Sequence, residues 1–204
     1  AGIHAVELYT NLGHLKNVNK IKQCCKTFPF RYAVHAPNDE FEMDVLADIV
    51  DGLQAEVVVL HNIYWEDEWE KIIKIFRHLK AKLCIENTYS ALEPMKFMRR
   101  YGIGMCLDLE HVQMECAGIF DEALIPSVKK ASHIHMTGYY YGSKLWHTHL
   151  HYSPEHSLHL LNLLINSGYS GFIVSEAKTT LQTYDEFKKL KAFYDHWMQS
   201  SINR

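Results

Sequence analysis

The chain has 204 residues, 48% of them hydrophobic, and a net charge of −3 at neutral pH. That is enough apolar material for one substantial core, and with no linker or shift in composition it reads as a single domain over residues 1–204. The basic residues gather into no stripe, which weighs against a nucleic-acid surface, and no apolar stretch is long enough to span a bilayer. Five cysteines without CxxC spacing fit reduced thiols in an intracellular, cytoplasmic protein better than a disulfide framework. Fourteen histidines are the compositional anomaly.

In chain order, apolar or β-branched runs alternate one for one with helical patterns. Strands are expected near residues 4–9, 30–35, 56–61, 82–87, 103–108, 132–136 and 171–176. After the second, Asn38 is placed to cap a helix with Phe41, Val45, Ile49 and Leu53 on its core face. After the third, Trp65, Trp69, Ile72, Ile73, Phe76 and Leu79 make another apolar stripe. Ser153 and Pro154 open a helix with Leu158, Leu161, Leu164 and Ile165 inside, closed by Gly168. Thr183 and Glu186 have capping-box spacing for a last helix that buries Phe187, Leu190, Tyr194 and Trp197. Repeated β-then-α units imply a parallel sheet in an α/β fold, and this many imply closure into a TIM (β/α) barrel, with an open doubly wound sheet as the alternative. Seven strands are one short of eight. The opening AGIHAVELYT reads as a helix end running into a strand, so a first strand and helix are expected to be lacking from this chain. The edges so exposed favour homo-oligomer contacts.

Most of these strands stop on a residue that carries chemistry. Residues 104–111, GMCLDLEH, run from small and apolar side chains into Asp108, with His111 three positions on in the turn beyond. Alone, such an aspartate serves equally as a helix cap. The pattern recurs: FRYAVH at 30–35, EVVVLH at 56–61, KLCIE at 82–86, SHIH at 132–135 and GFIVSE at 171–176. Side chains at the ends of strands about 4.8 Å apart meet at one open mouth.

The succession VHAP at 34–37, VLH at 59–61, IENT at 85–88, CLDLEH at 106–111, HIH at 133–135 and VSE at 174–176 resembles the xylose isomerase-like barrel superfamily over nearly the whole chain. That superfamily includes sugar isomerases and epimerases and the endonuclease IV-type apurinic-site endonucleases (AP endonuclease family 2). The resemblance implies a metal site of Glu86, Asp108, His135 and Glu176. Three carboxylates and an imidazole suit a divalent cation such as Mn2+ or Zn2+. His35, His61 and His111 match positions that bind further zinc ions in the endonuclease branch and touch substrate hydroxyls in the isomerase branch. In WHTHLH, residues 146–151, His147 and His149 stand where the endonucleases carry an Asp-x-His pair. Losing that carboxylate puts a third metal in doubt without removing the capacity to coordinate.

Two activities follow from the resemblance. In the first, a metal-bound small sugar or sugar-like substrate is isomerised or epimerised, Glu86 and Glu176 shuttling the proton with His111 at the substrate. In the second, a multi-metal centre activates water for phosphodiester cleavage in abasic DNA. The acidic balance and the lack of basic, aromatic DNA-penetrating loops make nucleic acid the lesser partner. A barrel that keeps the fold and its ligands but only binds is the third reading. Tyr139, Tyr140 and Tyr141, after the strand at 132–136, suit either a sugar-stacking lid or a packed loop.

Overall fold

The computed structural model describes residues 2–88, 90, 92–119 and 121–202. These sort into two compact units, one of residues 4–88 and 92–106, the other of the described residues from 107 to 202 together with 2, 3 and 90.

The first unit alternates strands and helices: β1 (Ala5–Tyr9), α1 (Leu12–Leu15), α2 (Val18–Cys25), β2 (Arg31–His35), α3 (Met43–Gly52), β3 (Val57–His61), α4 (Glu66–Phe76), β4 (Lys82–Glu86), α5 (Pro94–Tyr101) and the start of β5 (Gly104–Asp108). Each strand pairs in parallel with the next, with registers Tyr9↔His35, His35↔Val59, His61↔Glu86 and Glu86↔Cys106. Successive side chains alternate between faces. Tyr32, Val34, Val58, Leu60, Leu83 and Ile85 pack against Leu46, Ile49 and Val50 of α3 and Trp69, Ile72 and Phe76 of α4. The other face carries Ala33, His35, Val59, His61, Cys84 and Glu86. Strands buried on both faces need near-continuous apolar sequence, so a polar residue survives chiefly at a strand end.

The second unit continues with α6 (Leu109–Glu115), α7 (Asp121–Val128), β6 (Ala131–Met136), α8 (Pro154–Asn166), β7 (Phe172–Ser175) and α9 (Tyr184–Ile202). β6 and β7 are parallel, in register from His133↔Phe172 to Met136↔Ser175. Leu160, Leu161, Leu163 and Leu164 bury the inner side of α8, and Trp197 anchors α9 by donating from Nε1 to Asn162 Oδ1 at 3.0 Å. Among the described residues, no helix is long and apolar enough to cross a membrane.

The seven expected strands form within a residue or so of their expected limits. Helix starts and faces differ more. Asn38 caps nothing: α3 begins only at Met43, and the extended lead-in packs Phe41 against the core. Trp65 is 78% exposed because it precedes the first turn of α4, where its N–H is taken by Glu68 Oε2 at 2.7 Å. Ile165, at the rim of the α8 face, and Tyr194 are also half exposed. Thr183 accepts the Glu186 N–H at 3.3 Å, but the Glu186 side chain turns to His151 and Lys189 instead of closing a capping box.

Candidate metal centre

In the first unit the strand ends assemble a cluster around one carboxylate. The β3–β4 register sets His61 beside Glu86, and β2 brings His35 to the same face. His35 Nε2 lies 2.8 Å and His61 Nε2 2.9 Å from the same oxygen, Glu86 Oε2. Their rings meet edge to face at 5.0 Å, and Tyr9 tilts over His35 at 5.1 Å. His35 Nδ1 is 2.7 Å from the Ala36 carbonyl, which only accepts, so that nitrogen carries a proton. In a neutral ring Nε2 then turns a lone pair toward a carboxylate oxygen. A contact of 2.8 Å between two acceptors requires a proton or a cation between them.

The second unit holds the other expected ligands. Asp108 ends β5, His135 lies in β6 and Glu176 directly follows β7, where the β6–β7 register places it on the His135 face. One ligand atom from each of Asp108, His135 and Glu176 lies within 4.8 Å of the others, and His135 Nδ1 is 3.3 Å from Glu176 Oε2. Asp108 and His135 are buried, while the Glu176 side chain is 32% exposed. Ligand atoms bound to one ion at about 2.1 Å stand about 3 to 4 Å apart, so only small side-chain shifts separate this trio from a coordination sphere. An imidazole with two carboxylates is also the donor chemistry a borderline divalent cation takes.

Asp108 also does the ordinary work of its position. Its Oδ1 accepts the His111 N–H at 2.9 Å, capping α6, while Oδ2 lies 3.9 Å from His111 Nδ1. His111 is therefore in the first turn of a helix, not in an open turn, and its side chain is 22% exposed.

The two loop histidines separate. His149 is fully buried: its Nε2 donates to the Leu181 carbonyl at 3.2 Å, and its Nδ1 accepts from Ser175 Oγ at 3.1 Å. Both nitrogens are engaged by uncharged protein groups, and among the described residues His149 is in none of the clusters whose ligand atoms gather. Burial holds its pKa below the usual histidine value, against the raising effect of Leu181. His147 is 47% exposed, faces Glu110 Oε1 through Nδ1 at 3.4 Å, and is not one of the residues whose ligand atoms gather with Asp108. Tyr139 is buried and stacks on Trp146 at 3.9 Å, whereas Tyr140 and Tyr141 are half exposed.

Glu110 escaped sequence reasoning. It is buried, accepts a short hydrogen bond from Thr137 Oγ1, and takes the His147 N–H at 3.1 Å. In sequence a glutamate in a first helical turn reads as a partner for the helix dipole, and nothing local marks it as buried.

No family model and no curated relative matches the sequence. Among solved structures, the chain is similar to an L-ribulose 3-epimerase (TM-score 0.65, 13% identity, 99% of this chain and 86% of that one). It is also similar to phosphoribosylanthranilate isomerase from Thermotoga maritima (TM-score 0.56, 14% identity, 94% and 87%). A Thermus thermophilus protein soaked with zinc chloride matches with TM-score 0.51, 18% identity and 80% and 89% coverage. At these identities the likeness speaks to fold alone, and that fold is a TIM (β/α) barrel.

Proposed function

We propose that the protein is a divalent-metal-dependent isomerase or epimerase acting on a small sugar or sugar-like substrate through carboxylate proton transfer. The observation that carries this reading is the convergence of Asp108, His135 and Glu176 from the ends of three successive strands. Glu86 completes the ligand set, for Mn2+ or Zn2+. Such a cation, when bound, supplies Lewis acidity to neighbouring carbonyl and hydroxyl oxygens. Glu176, the partly open carboxylate, takes the proton from the substrate carbon. Glu86, whose Oε2 is engaged by His35 and His61, returns it through Oε1. His111, on the first turn of α6, holds a substrate hydroxyl. The likeness in fold to L-ribulose 3-epimerase supports a sugar as the substrate class. Residues 1–204 are read as one domain, cytoplasmic in keeping with its free cysteines, and able to self-associate.

The test is solvent exchange. With Mn2+-loaded protein in D2O and a panel of ketoses and aldoses, deuterium is expected to enter the substrate carbon with wild type and to fail with Glu176→Gln, which keeps size and one coordinating oxygen. Absence of exchange across the panel, with cleavage of an abasic-site duplex instead, overturns the reading.

One observation favours the second activity. His35 and His61 both turn Nε2 to Glu86 Oε2, an arrangement that suits a further zinc ion bridged by that carboxylate in a phosphodiesterase acting on abasic DNA. Metal analysis of the purified protein separates the two, one ion per chain favouring sugar chemistry. A loaded protein inactive in both assays leaves the binding-only barrel.

A further inference from the structure

The loop between β6 and α8 carries a residue with strained backbone in an over-determined place. His147 has φ of +44°, in the left-handed region that a non-glycine side chain adopts only when its surroundings enforce it. Here they do. Its N–H donates to Glu110 Oε2 at 3.1 Å, and its carbonyl accepts the Lys178 N–H at 2.9 Å. Thr137 Oγ1 donates to the same Glu110 oxygen. Glu110, Thr137 and Lys178 stand two residues beyond Asp108, His135 and Glu176 respectively. Two residues span at most about 7 Å, so the three groups that fix His147 tie it to the rim of the converging trio.

The chemistry of the exposed atom follows from the same contacts. Glu110 Oε1, 3.4 Å from Nδ1, favours the proton on that nitrogen, because a lone pair there faces a carboxylate. Nε2 is then an acceptor on a half-exposed side chain. On the same loop, the preceding residue Trp146 is 40% exposed and held in orientation by its stack on Tyr139. Around them the loop is prefolded: Gly138 N–H donates to the Thr148 carbonyl at 2.8 Å, and Gln113 Nε2 to the Tyr139 carbonyl at 2.8 Å. A fixed acceptor and an oriented, partly exposed indole on one prefolded loop suit a polyhydroxylated substrate, one hydroxyl donating to the imidazole and a C–H face meeting the ring.

We propose that His147 is a specificity residue that touches substrate, its Nε2 accepting a hydrogen bond from a hydroxyl of the sugar held at Asp108, His135 and Glu176, with Glu110 as its positioning residue. This rests on the sugar reading above, and it gives His147 a role other than metal ligation.

Calorimetry on the full chain tests it, with Mn2+ alone and then with a panel of ketopentoses, ketohexoses and their monodeoxy analogues on the loaded protein. His147→Ala is expected to leave Mn2+ affinity within about twofold and to weaken the best ketose about tenfold, the scale of one hydrogen bond. That loss disappears with the deoxy sugar lacking the recognised hydroxyl. His147→Gln, whose amide oxygen also accepts, recovers part of the affinity, and Glu110→Gln reproduces the selective loss. Loss of Mn2+ binding in His147→Ala, or equal ketose binding by wild type and His147→Ala, overturns this inference and leaves the sugar reading standing. Wild type that binds Mn2+ but no ketose removes the sugar reading and the inference with it.

Discussion

Asp108 offers a substitution that separates its two jobs. Asparagine keeps an oxygen for the His111 N–H and is as good an N-cap as aspartate, whereas alanine loses a cap worth about 1 kcal/mol. Asparagine also removes a negative charge from within 4.8 Å of a Glu176 oxygen. At an effective dielectric near 20, two carboxylates at that distance repel by roughly 3 kcal/mol, reduced by whatever positive charge His135 carries. Metal-free Asp108→Asn should therefore be at least as stable as wild type, and Asp108→Ala should gain less by about the worth of the cap. Metal acts in the opposite direction, favouring wild type. At a Mn2+ concentration 100 times the dissociation constant, wild type gains about 2.7 kcal/mol. For a chain of this size that corresponds to a rise in Tm of about 5 to 10 °C. If the charge loss weakens binding about 100-fold, the upper end of what even outer partners of a metal contribute, the variant gains about 0.4 kcal/mol and its Tm moves by about 1 °C. Thermal unfolding with Mn2+ and with chelator reads both effects. A metal-induced shift in Asp108→Asn as large as in wild type would refute the ligand assignment, and a metal-free Asn variant as weak as Ala would refute the capping argument.

Burial lowers the pKa of His149, His151 and His156, with Glu186 opposing it at His151 and His159 adding to it at His156. The unfolded chain then binds more protons, so stability is expected to fall as pH drops through about 6.5 toward those lowered values, and to fall again below pH 4.5 as Glu186, held low by Lys189, is protonated. Urea midpoints that stay flat or rise from pH 7.5 to 5 contradict this. Trp69 is fully buried among Tyr64, Phe97 and Tyr101 at ring distances of 5.2 to 6.4 Å, so Trp69→Ala should cost about 3 to 5 kcal/mol, measured by urea unfolding. At Gly138 an added Cβ meets Thr148 Oγ1 at 2.6 Å and the His149 carbonyl at 2.7 Å, and backbone cannot step aside cheaply. Gly138→Ala should lose about 1 to 3 kcal/mol, and a variant that unfolds with wild type speaks against the close approach.

The strands were legible for a physical reason that also limited the rest. In VVVLH or GMCLD every position before the last is small or apolar and buried, so apolar continuity marks the element and the terminal His or Asp stands out against it. Helices gave a weaker signal, because only one face is buried and the cap lies outside the pattern. Asn38 has the right residue type four positions too early, and Trp65 continues an apolar run without sitting on the buried face. Histidine was harder still. His35 and His149 are both buried and look alike as letters, yet one turns a nitrogen to the Glu86 carboxylate and the other turns both to uncharged groups, Ser175 and Leu181. What separates them is the identity of atoms 26 to 51 residues away, which no local pattern carries.

Residues 108–111 show how one short stretch couples fold to chemistry. Asp108 must end a strand and start a helix, so its backbone is fixed before any ligand arrives, and its Oδ1 is committed to the His111 N–H. A carboxylate anchored in this way loses little further freedom on meeting a cation, because its ordering has already taken place in folding. Two residues on, Glu110 points the opposite kind of effort outward from the same turn: it gathers Thr137 and the His147 backbone and thereby shapes the loop after β6. Ligand geometry and loop geometry are thus set by neighbouring positions of one helix start. A change that shifts the start of α6 by a residue should disturb both together, whereas Glu110→Gln should disturb the loop while the Asp108 cap, and with it metal affinity, persists.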